Sequence, residues 1–121
     1  MSLMELNQEG FKESVKTGIV LVDFWASWCG PCRAFAPIFE KAAEENPDLV
    51  FGKVNTEEEP DLAIEYGIQA IPTLMVFRDG YVVFEQAGAL PGHALRKLIE
   101  QIRNLDMEKV RGEYQARAAA S

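Results

Sequence analysis

The stretch Ile19–Trp25 is apolar at every position except Asp23, and it is rich in β-branched side chains. A nearly continuous apolar run of this length is typical of a strand that helices cover on both faces of a sheet. A Trp-Cys-Gly-Pro-Cys motif follows at residues 28–32 and contains the only two cysteines of the sequence. A strand that leads into Cys-x-x-Cys at the start of a helix predicts a site where a disulfide is formed and broken.

Hydrophobic periodicity predicts an α/β domain with one mixed central sheet and helices on both faces. The predicted order is βαβαβ followed by αββα, with right-handed parallel crossovers and an antiparallel hairpin at residues 79–80. Asn7 is the predicted N-cap of the first helix, Gly18 is its predicted C-cap, and Pro37 lies inside the second helix. The predicted strands are residues 3–6, 19–25, 49–54, 73–77 and 81–86, and the predicted helices are residues 8–17, 31–46, 57–66 and 91–105.

The chain has 121 residues, the size of one domain with a single core, and its formal net charge is -7. An acidic chain is repelled by nucleic acids and by anionic membranes, so neither is an expected partner. The apolar runs are too short to span a bilayer, and the first residues lack the pattern of a signal peptide. We therefore expect a cytoplasmic protein, where a lasting structural disulfide is unusual but a transient catalytic one is not.

The C-terminal part of the sequence differs from the rest. Residues 1–105 are predicted to form the domain, and residues 106–121 are predicted to form an extension. The extension has mixed charges, is interrupted by Gly112 and ends in a run of alanines, and Val110 and Tyr114 have helical spacing within it. A continuation of the last helix and a frayed, disordered tail are both open alternatives for this segment.

Disulfide exchange requires one thiolate that attacks a disulfide and a second thiol that completes the exchange. A helix N-terminus favours an anion because its backbone N–H groups lack partners and its dipole end is positive. Cys29 lies at this end of the predicted second helix, so we assign it as a solvent-exposed nucleophile. Cys32 lies one turn later on the core side, and we expect it to be more buried and to act as the resolving thiol. Pro31 suits the first turn because its missing N–H has no partner there.

Other interpretations of the cysteine pair are weaker. A structural disulfide conflicts with the expected compartment. An intrachain zinc site requires about four ligands, whereas the sequence offers two cysteines and the remote His93. Two further interpretations stay open: the cysteines bind a metal cluster shared between two chains, or they are inert thiols in the core. The motif around the cysteines disfavours both.

Further motifs make the sequence resemble the thioredoxin family over residues 6–105. Residues 35–40 (Phe-Ala-Pro-Ile-Phe-Glu) and 53–57 (Lys-Val-Asn-Thr-Glu) are especially similar to the bacterial thioredoxin 2 branch. That branch usually carries an N-terminal zinc-binding segment with additional Cys-x-x-Cys pairs, and because this sequence has none, no metal site is implied. The motifs in family order are Val-Asp-Phe-Trp-Ala-Ser-Trp-Cys-Gly-Pro-Cys at 22–32, Lys-Val-Asn at 53–55, Ile-Pro-Thr-Leu at 71–74, Phe-Arg-Asp-Gly at 77–80 and Gly-Ala-Leu at 88–90.

The resemblance implies catalytic roles for two charged residues. Asp23 stands in an apolar strand, where an unpaired carboxylate is costly, so its affinity for a proton should be raised. By resemblance, Asp23 is the acid/base that exchanges a proton with Cys32 when the disulfide opens. Lys53 resembles the family lysine whose ammonium lies near that carboxylate. The alternatives to these catalytic roles are that Asp23 has a purely structural role and that Lys53 is an ordinary surface residue.

The resemblance also implies a surface that contacts the substrate. Ile71-Pro72 resembles the family loop with a cis proline, in which the residue before the proline pairs through its backbone with an extended target segment. Ordinary packing or turn geometry is the alternative role for the residues of this surface. The implied contact residues are Trp28, Gly30, Pro31, Ile71, Pro72, Gly88 and Ala89.

By resemblance, the chain is expected to be a protein dithiol–disulfide oxidoreductase that reduces disulfides of target proteins. Thioredoxin reductase would recycle it with electrons from NADPH, and a monomer is expected. No bound cofactor is implied, because no Gly-x-Gly-x-x-Gly motif follows a predicted strand. Two other functions are open: a disulfide oxidase or isomerase, and a binding or chaperone-like module that uses the C-terminal extension as its contact.

Overall fold

The computed structural model describes residues 3–120, so residues 1, 2 and 121 of the predicted domain and extension lie outside the described range. The strands are β1 Leu3–Glu5, β2 Ile19–Trp25, β3 Val50–Asn55, β4 Thr73–Arg78 and β5 Tyr81–Ala87. The helices are α1 Gln8–Ser14, α2 Gly30–Glu45, α3 Pro60–Glu65, α4 Gly92–Arg103 and α5 Met107–Ala120. The predicted order of strands and helices is confirmed, and α5 follows it.

The strands form one mixed sheet in the order β1-β3-β2-β4-β5. β1, β3 and β2 are parallel, β4 runs antiparallel to β2, and β5 runs antiparallel to β4. β2 is therefore hydrogen-bonded along both edges, in agreement with its apolar sequence. The prediction of a mixed sheet with an antiparallel edge is confirmed.

Alternation of side chains along β2 divides the core into two clusters, one on each face of the sheet. Leu21 packs with Phe39 of α2 and with apolar residues of α4. Val22 packs on the opposite face with Phe11 of α1. Because side chains two apart on a strand share a face, Asp23 points to the same face as Leu21. The aspartate is thus directed toward α2, the helix that carries Cys32.

Helix α1 begins where the sequence predicts but ends earlier. The side chain of Asn7 accepts a backbone N–H of the first turn at 2.8 Å, which confirms it as the N-cap. The helix ends at Ser14, so the assignment of Gly18 as the C-cap is wrong. Gly18 lies in the following turn with φ of 71°, and its N–H donates to the Asp79 carboxylate at 3.0 Å. A tertiary contact therefore fixes this glycine.

Helix α3 begins at Pro60 rather than at residue 57. The side-chain oxygen of Asn55 accepts the N–H of Glu57 at 2.9 Å, and its carbonyl accepts the N–H of Glu58 at 3.1 Å. Asparagine side chains offer the backbone a local alternative to helical hydrogen bonds. Residues 56–58 consequently form a turn before the helix.

The C-terminal segment is helical, but it forms the separate helix α5. α5 does not prolong α4, because the Asp106 carboxylate accepts the N–H groups of Glu108 and Lys109 at 3.1 and 3.3 Å and starts a new helix. The Tyr114 hydroxyl donates to the carbonyl of Val82 on β5 at 2.6 Å. Val82 pairs with β4 near the hairpin turn, whereas Thr73 begins β4 at the other end. α5 is therefore docked at the end of the hairpin that is remote from residues 71–72.

The Gly52→Ala variant tests the close packing between β3 and the end of β1. A Cβ at Gly52 would overlap the buried side chain of Leu6. We expect the substitution to destabilise the protein by about 1–3 kcal/mol, because the core must shift to accept the methyl group. Urea unfolding measures this. The control is Gly112→Ala, where nothing lies within 4 Å and a methyl group should not lower stability. Equal stability of the two variants would contradict the packing.

Candidate active site

The cysteine pair lies at the N-terminus of α2, shortly after the end of β2. Cys29 is the N-cap of α2, and its Sγ accepts the backbone N–H of Cys32 at 3.1 Å. Pro31 lies in the first turn, where its missing N–H needs no partner. The two sulfurs form a disulfide between Cα atoms 5.2 Å apart. The Cys29 sulfur thus occupies the position where unpaired N–H groups and the helix dipole favour a negative charge.

The expectation that Cys29 is more exposed than Cys32 is wrong for this oxidised state, since both residues are 3% exposed. The sulfur–sulfur bond covers part of each atom, and a second loop covers Cys29 further. Its Sγ lies 3.7 Å from the carbonyl oxygen of Ile71. This is a packing contact, because a disulfide sulfur has no hydrogen to donate. Trp28 beside the pair is 68% exposed, so the disulfide lies close to the protein surface.

A loop at residues 71–72 contacts Cys29 and is hydrogen-bonded to a second loop at Gly88. The Ile71-Pro72 peptide bond is cis, as the family resemblance implied. The carbonyl of Pro72 accepts the N–H of Gly88 at 2.8 Å. Gly88 has φ of 97°, a conformation that side chains disfavour. A continuous set of contacts therefore runs from Cys29 through residues 71–72 to Gly88.

The predicted substrate-contact residues differ in their exposure. Ile71 contacts Cys29 directly, and the next residue, Pro72, is hydrogen-bonded to Gly88. Trp28 adjoins Cys29 in the chain, and Ala89 adjoins Gly88. Pro72 is buried, so its ring offers little area to a partner, and Ile71 is partly buried. The exposed members of the set are Trp28, Gly30, Pro31, Gly88 and Ala89.

Asp23 lies in the middle of β2 and is fully buried. Neither carboxylate oxygen has a hydrogen-bond partner among the described residues. Burial raises the pKa of Asp23 to about 7, the nearby Lys53 ammonium opposes this rise, and Glu5 adds to it. The raised proton affinity that the apolar strand predicts is therefore found in the structure.

Lys53 lies directly opposite Asp23 on β3. Its ammonium lies 4.8 Å from the centroid of the Trp25 ring, which is a cation–π distance. Among residues 3–120 it forms no ion pair within 4.0 Å. Lys53 thus lowers the pKa of Asp23 through its field rather than through a direct bond.

Three residues without a predicted role brace the loop before Cys29. The backbone N–H and the hydroxyl of Ser27 donate to the Glu57 carboxylate at 3.2 and 2.9 Å. The Arg33 guanidinium donates to the Ser27 carbonyl at 2.9 Å. The sequence contains no local signal for the first contact, because its partners are 30 residues apart.

Residues 3–120 contain no group of three or more His, Cys, Asp or Glu side chains arranged to hold a metal ion. His93 is exposed in the first turn of α4. None of the helices in this range is both long and apolar enough to cross a membrane.

Comparisons with known proteins agree with this geometry. The sequence model of the thioredoxin family matches residues 2–101. A Streptomyces coelicolor protein named "Putative thioredoxin 2" is 55% identical over 97% of this chain and 90% of its own length. The thioredoxin of Bacillus subtilis is 38% identical over 84% of this chain and 98% of its own. A solved mutant thioredoxin from Halobacterium salinarum superimposes with a TM-score of 0.80 at 34% identity, covering 87% of this chain and 94% of that one.

The family match covers most of the chain and includes the disulfide at the start of α2. At this position, a backbone N–H and the helix dipole favour a thiolate on Cys29 once the disulfide opens, and Cys32 lies close enough to close the ring again. This is the chemistry required to exchange disulfides with another protein. The chain therefore belongs to the thioredoxin family, and it is a protein thiol–disulfide oxidoreductase.

Proposed function

We propose that the chain reduces disulfides of target proteins, with Cys29 as nucleophile and Cys32 as resolving thiol. The Cys29 thiolate attacks a target disulfide, whose S–S bond breaks, and one target sulfur leaves as a thiolate. A mixed disulfide between Cys29 and the target results. The Cys32 thiolate then attacks Cys29 Sγ, the second target sulfur leaves as a thiolate, and the Cys29–Cys32 disulfide forms. Two electrons pass from the cysteine pair to the target.

The N-cap position of Cys29 is the observation that carries the assignment of the two thiols. Its sulfur accepts the Cys32 N–H and faces the positive end of α2, and both interactions favour a thiolate. Cys32 lies within the first turn of the helix and lacks this placement. The two cysteines are equally buried, so only their positions in the helix distinguish the nucleophile from the resolving thiol.

We assign Asp23 the exchange of a proton with Cys32. Asp23 faces α2, has no bonded partner in the described range, and has its pKa raised to about 7 by burial. Such a group is partly ionised at neutral pH, which suits a side chain that takes a proton and later returns it. The ionised carboxylate accepts the proton of the Cys32 thiol before the resolving attack. Lys53 stabilises that ionised form.

We propose that the target binds over the exposed residues around the disulfide. The large exposed ring of Trp28 supplies apolar contact area next to Cys29. The backbone of Ile71, whose carbonyl lies 3.7 Å from Cys29 Sγ, pairs with an extended segment of the target and presents its disulfide to that sulfur. Exposed residues of the two neighbouring loops complete the surface; these are Gly30, Pro31, Gly88 and Ala89.

We further propose the cellular setting that family membership implies. Thioredoxin reductase returns electrons from NADPH to the oxidised pair, and the chain acts in the cytoplasm as a monomer without a bound cofactor. Residues 1–105 form the thioredoxin domain, and residues 106–121 form an extension that the catalytic cycle does not require. The remote docking of α5 supports this division.

Substitution of each cysteine tests the assigned order of attack. Cys29→Ser should reduce insulin disulfides no faster than dithiothreitol alone, because the attacking thiolate is lost. Cys32→Ser should still attack but accumulate a mixed disulfide, which non-reducing electrophoresis and mass spectrometry detect. Reductase activity that survives Cys29→Ser would overturn the assignment. A midpoint potential of the pair near about -120 mV, rather than a much lower one, would indicate an oxidase.

The pH dependence of stability tests the environment of Asp23. The folded pKa of about 7 lies above the ordinary value of 3.8, so the unfolded chain loses this proton first as the pH rises. The raised pKa of Asp23 adds to the free energy of unfolding. This contribution is fully present below pH 3.8 and is lost as the pH rises through about 7. The free energy lost over this range is about 4 kcal/mol.

We therefore expect oxidised Asp23→Ala to gain stability over the parent protein between these pH values, with a plateau above pH 7. The plateau should be about 2–4 kcal/mol, because a small cavity offsets part of the gain. Urea unfolding at a series of pH values measures the difference. A stability difference that is independent of pH would contradict the raised proton affinity.

Deletion of residues 107–121 tests the role of α5. The shortened chain should reduce insulin within about twofold of the full chain, because α5 lies at the hairpin end remote from the disulfide. Its stability should fall by about 2–5 kcal/mol through loss of the buried Met107 side chain, the Tyr114 hydrogen bond and the contact of the Tyr114 ring with Tyr81. Tyr114→Phe, which removes only the hydroxyl, should lose about 1 kcal/mol. A folded deletion variant without reductase activity would contradict the proposed division of the chain.

A further inference from the structure

Three charged side chains form a row across β1, β3 and β2. Glu5 is the partner of Lys53 in the register between β1 and β3, and Lys53 is the partner of Asp23 in the register between β3 and β2. Partners on adjacent strands point to the same face of a sheet. The three side chains therefore alternate in charge on the face covered by α2. We call Glu5, Lys53 and Asp23 the charge row.

We propose that Glu5 is a positioning residue of the active site. Its carboxylate shares the charge of the Lys53 ammonium with Asp23, and Glu5 thereby sets the pH at which Asp23 exchanges its proton. Glu5 touches neither cysteine in the structure and acts through Lys53 and its own charge. The inference deepens, and rests on, the proton role proposed for Asp23.

The position of Lys53 allows both carboxylates to compete for its charge. Its ammonium lies against the Trp25 ring at 4.8 Å and forms no ion pair within 4.0 Å in the described part of the chain. Neither Glu5 nor Asp23 therefore neutralises it by direct contact. A negative charge on Glu5 offsets part of the field that Lys53 exerts on Asp23, so it favours the protonated form of Asp23.

The surroundings of Asp23 leave few other groups that could produce this effect. On β4 its partner is the apolar Leu74. From α2, the buried side chains that enter this side of the molecule are Cys32 and apolar residues. Within residues 3–120, Lys53 and Glu5 are the charged groups that shift the pKa of Asp23, after the dominant effect of burial. Lys53 lowers the pKa and Glu5 raises it, which is the direction that the row predicts.

Simple electrostatics gives the size of the expected effect. Two strand spacings separate the backbones of Glu5 and Asp23 by about 10 Å. With an effective dielectric constant of about 40–80, a unit charge at that distance moves a titration midpoint by about 0.3–0.6 pH unit. Glu5 is exposed, so high salt should screen this effect.

A charge series at residue 5 tests the inference through the titration of Asp23 itself. The Asp23 carboxyl carbon is followed by NMR in the oxidised protein as the pH is raised. Glu5→Gln should lower its midpoint by about 0.3–0.6 pH unit, and Glu5→Lys by about twice as much. The control is Glu9→Gln, which removes the same charge from α1 and should leave the midpoint unchanged. In about 1 M salt, the differences within the series should largely disappear.

Turnover provides a second readout that separates the two proposals. If Asp23 takes the proton of Cys32, the pH profile of insulin reduction should move by the same amount as the NMR midpoint. A midpoint that stays constant across the charge series, with activity intact, overturns the role of Glu5 and leaves the proposed function in place. A midpoint that moves while the pH profile does not shows the electrostatic coupling within the charge row, but it overturns the proton role of Asp23 and with it the positioning role of Glu5.

Discussion

The burial of the five central residues of β2 is the constraint on which the rest of the molecule depends. This strand is paired along both edges and packs against a helical layer on each face. Solvent is reached only where the strand ends, so the chain turns there into α2. That turn places the N-terminus of the helix, and with it Cys29, at the surface edge of the sheet. The position of the reactive end of the protein is thus a direct consequence of the burial of β2.

The same burial makes Asp23 reactive. A carboxylate in the middle of an apolar strand loses its hydration and gains no hydrogen bond within the described structure, so its pKa rises to about 7. The sheet moderates this rise by placing Lys53 on the adjacent strand. Desolvation is the larger effect, and the neighbouring charges adjust it. Burial in the core therefore stabilises the fold as a whole. At Asp23, however, burial lowers the stability of the protein at neutral pH, and the same burial gives this carboxyl a pKa suited to proton exchange.

Particular residues show how far the sequence could predict the structure. The apolar run of β2, the hydrophobic periodicity of the helix predicted at residues 91–105, and the side chain of Asn7 are local signals, and the predictions that rest on them are confirmed. The prediction that Gly18 ends a helix is wrong because the carboxylate that fixes this glycine belongs to a turn 61 residues away. The prediction that Cys29 is exposed is wrong for a similar reason, because the loop at Ile71 that covers its sulfur is 42 residues distant. Such contacts leave no periodic pattern in the chain.

The sequence by itself determined the order of strands and helices, the redox motif at the start of α2 and the anomalous aspartate in β2. These features depend on side-chain periodicity, helix capping and the cost of burying a charge, all of which act over a few neighbouring residues. Only the tertiary structure decided that Glu5, Lys53 and Asp23 share a row and that α5 docks at the remote end of the hairpin. Strand register and helix docking are set by packing between segments that are distant in the chain. The free energy of this packing depends on both segments together, so it cannot be predicted from the sequence of either one alone.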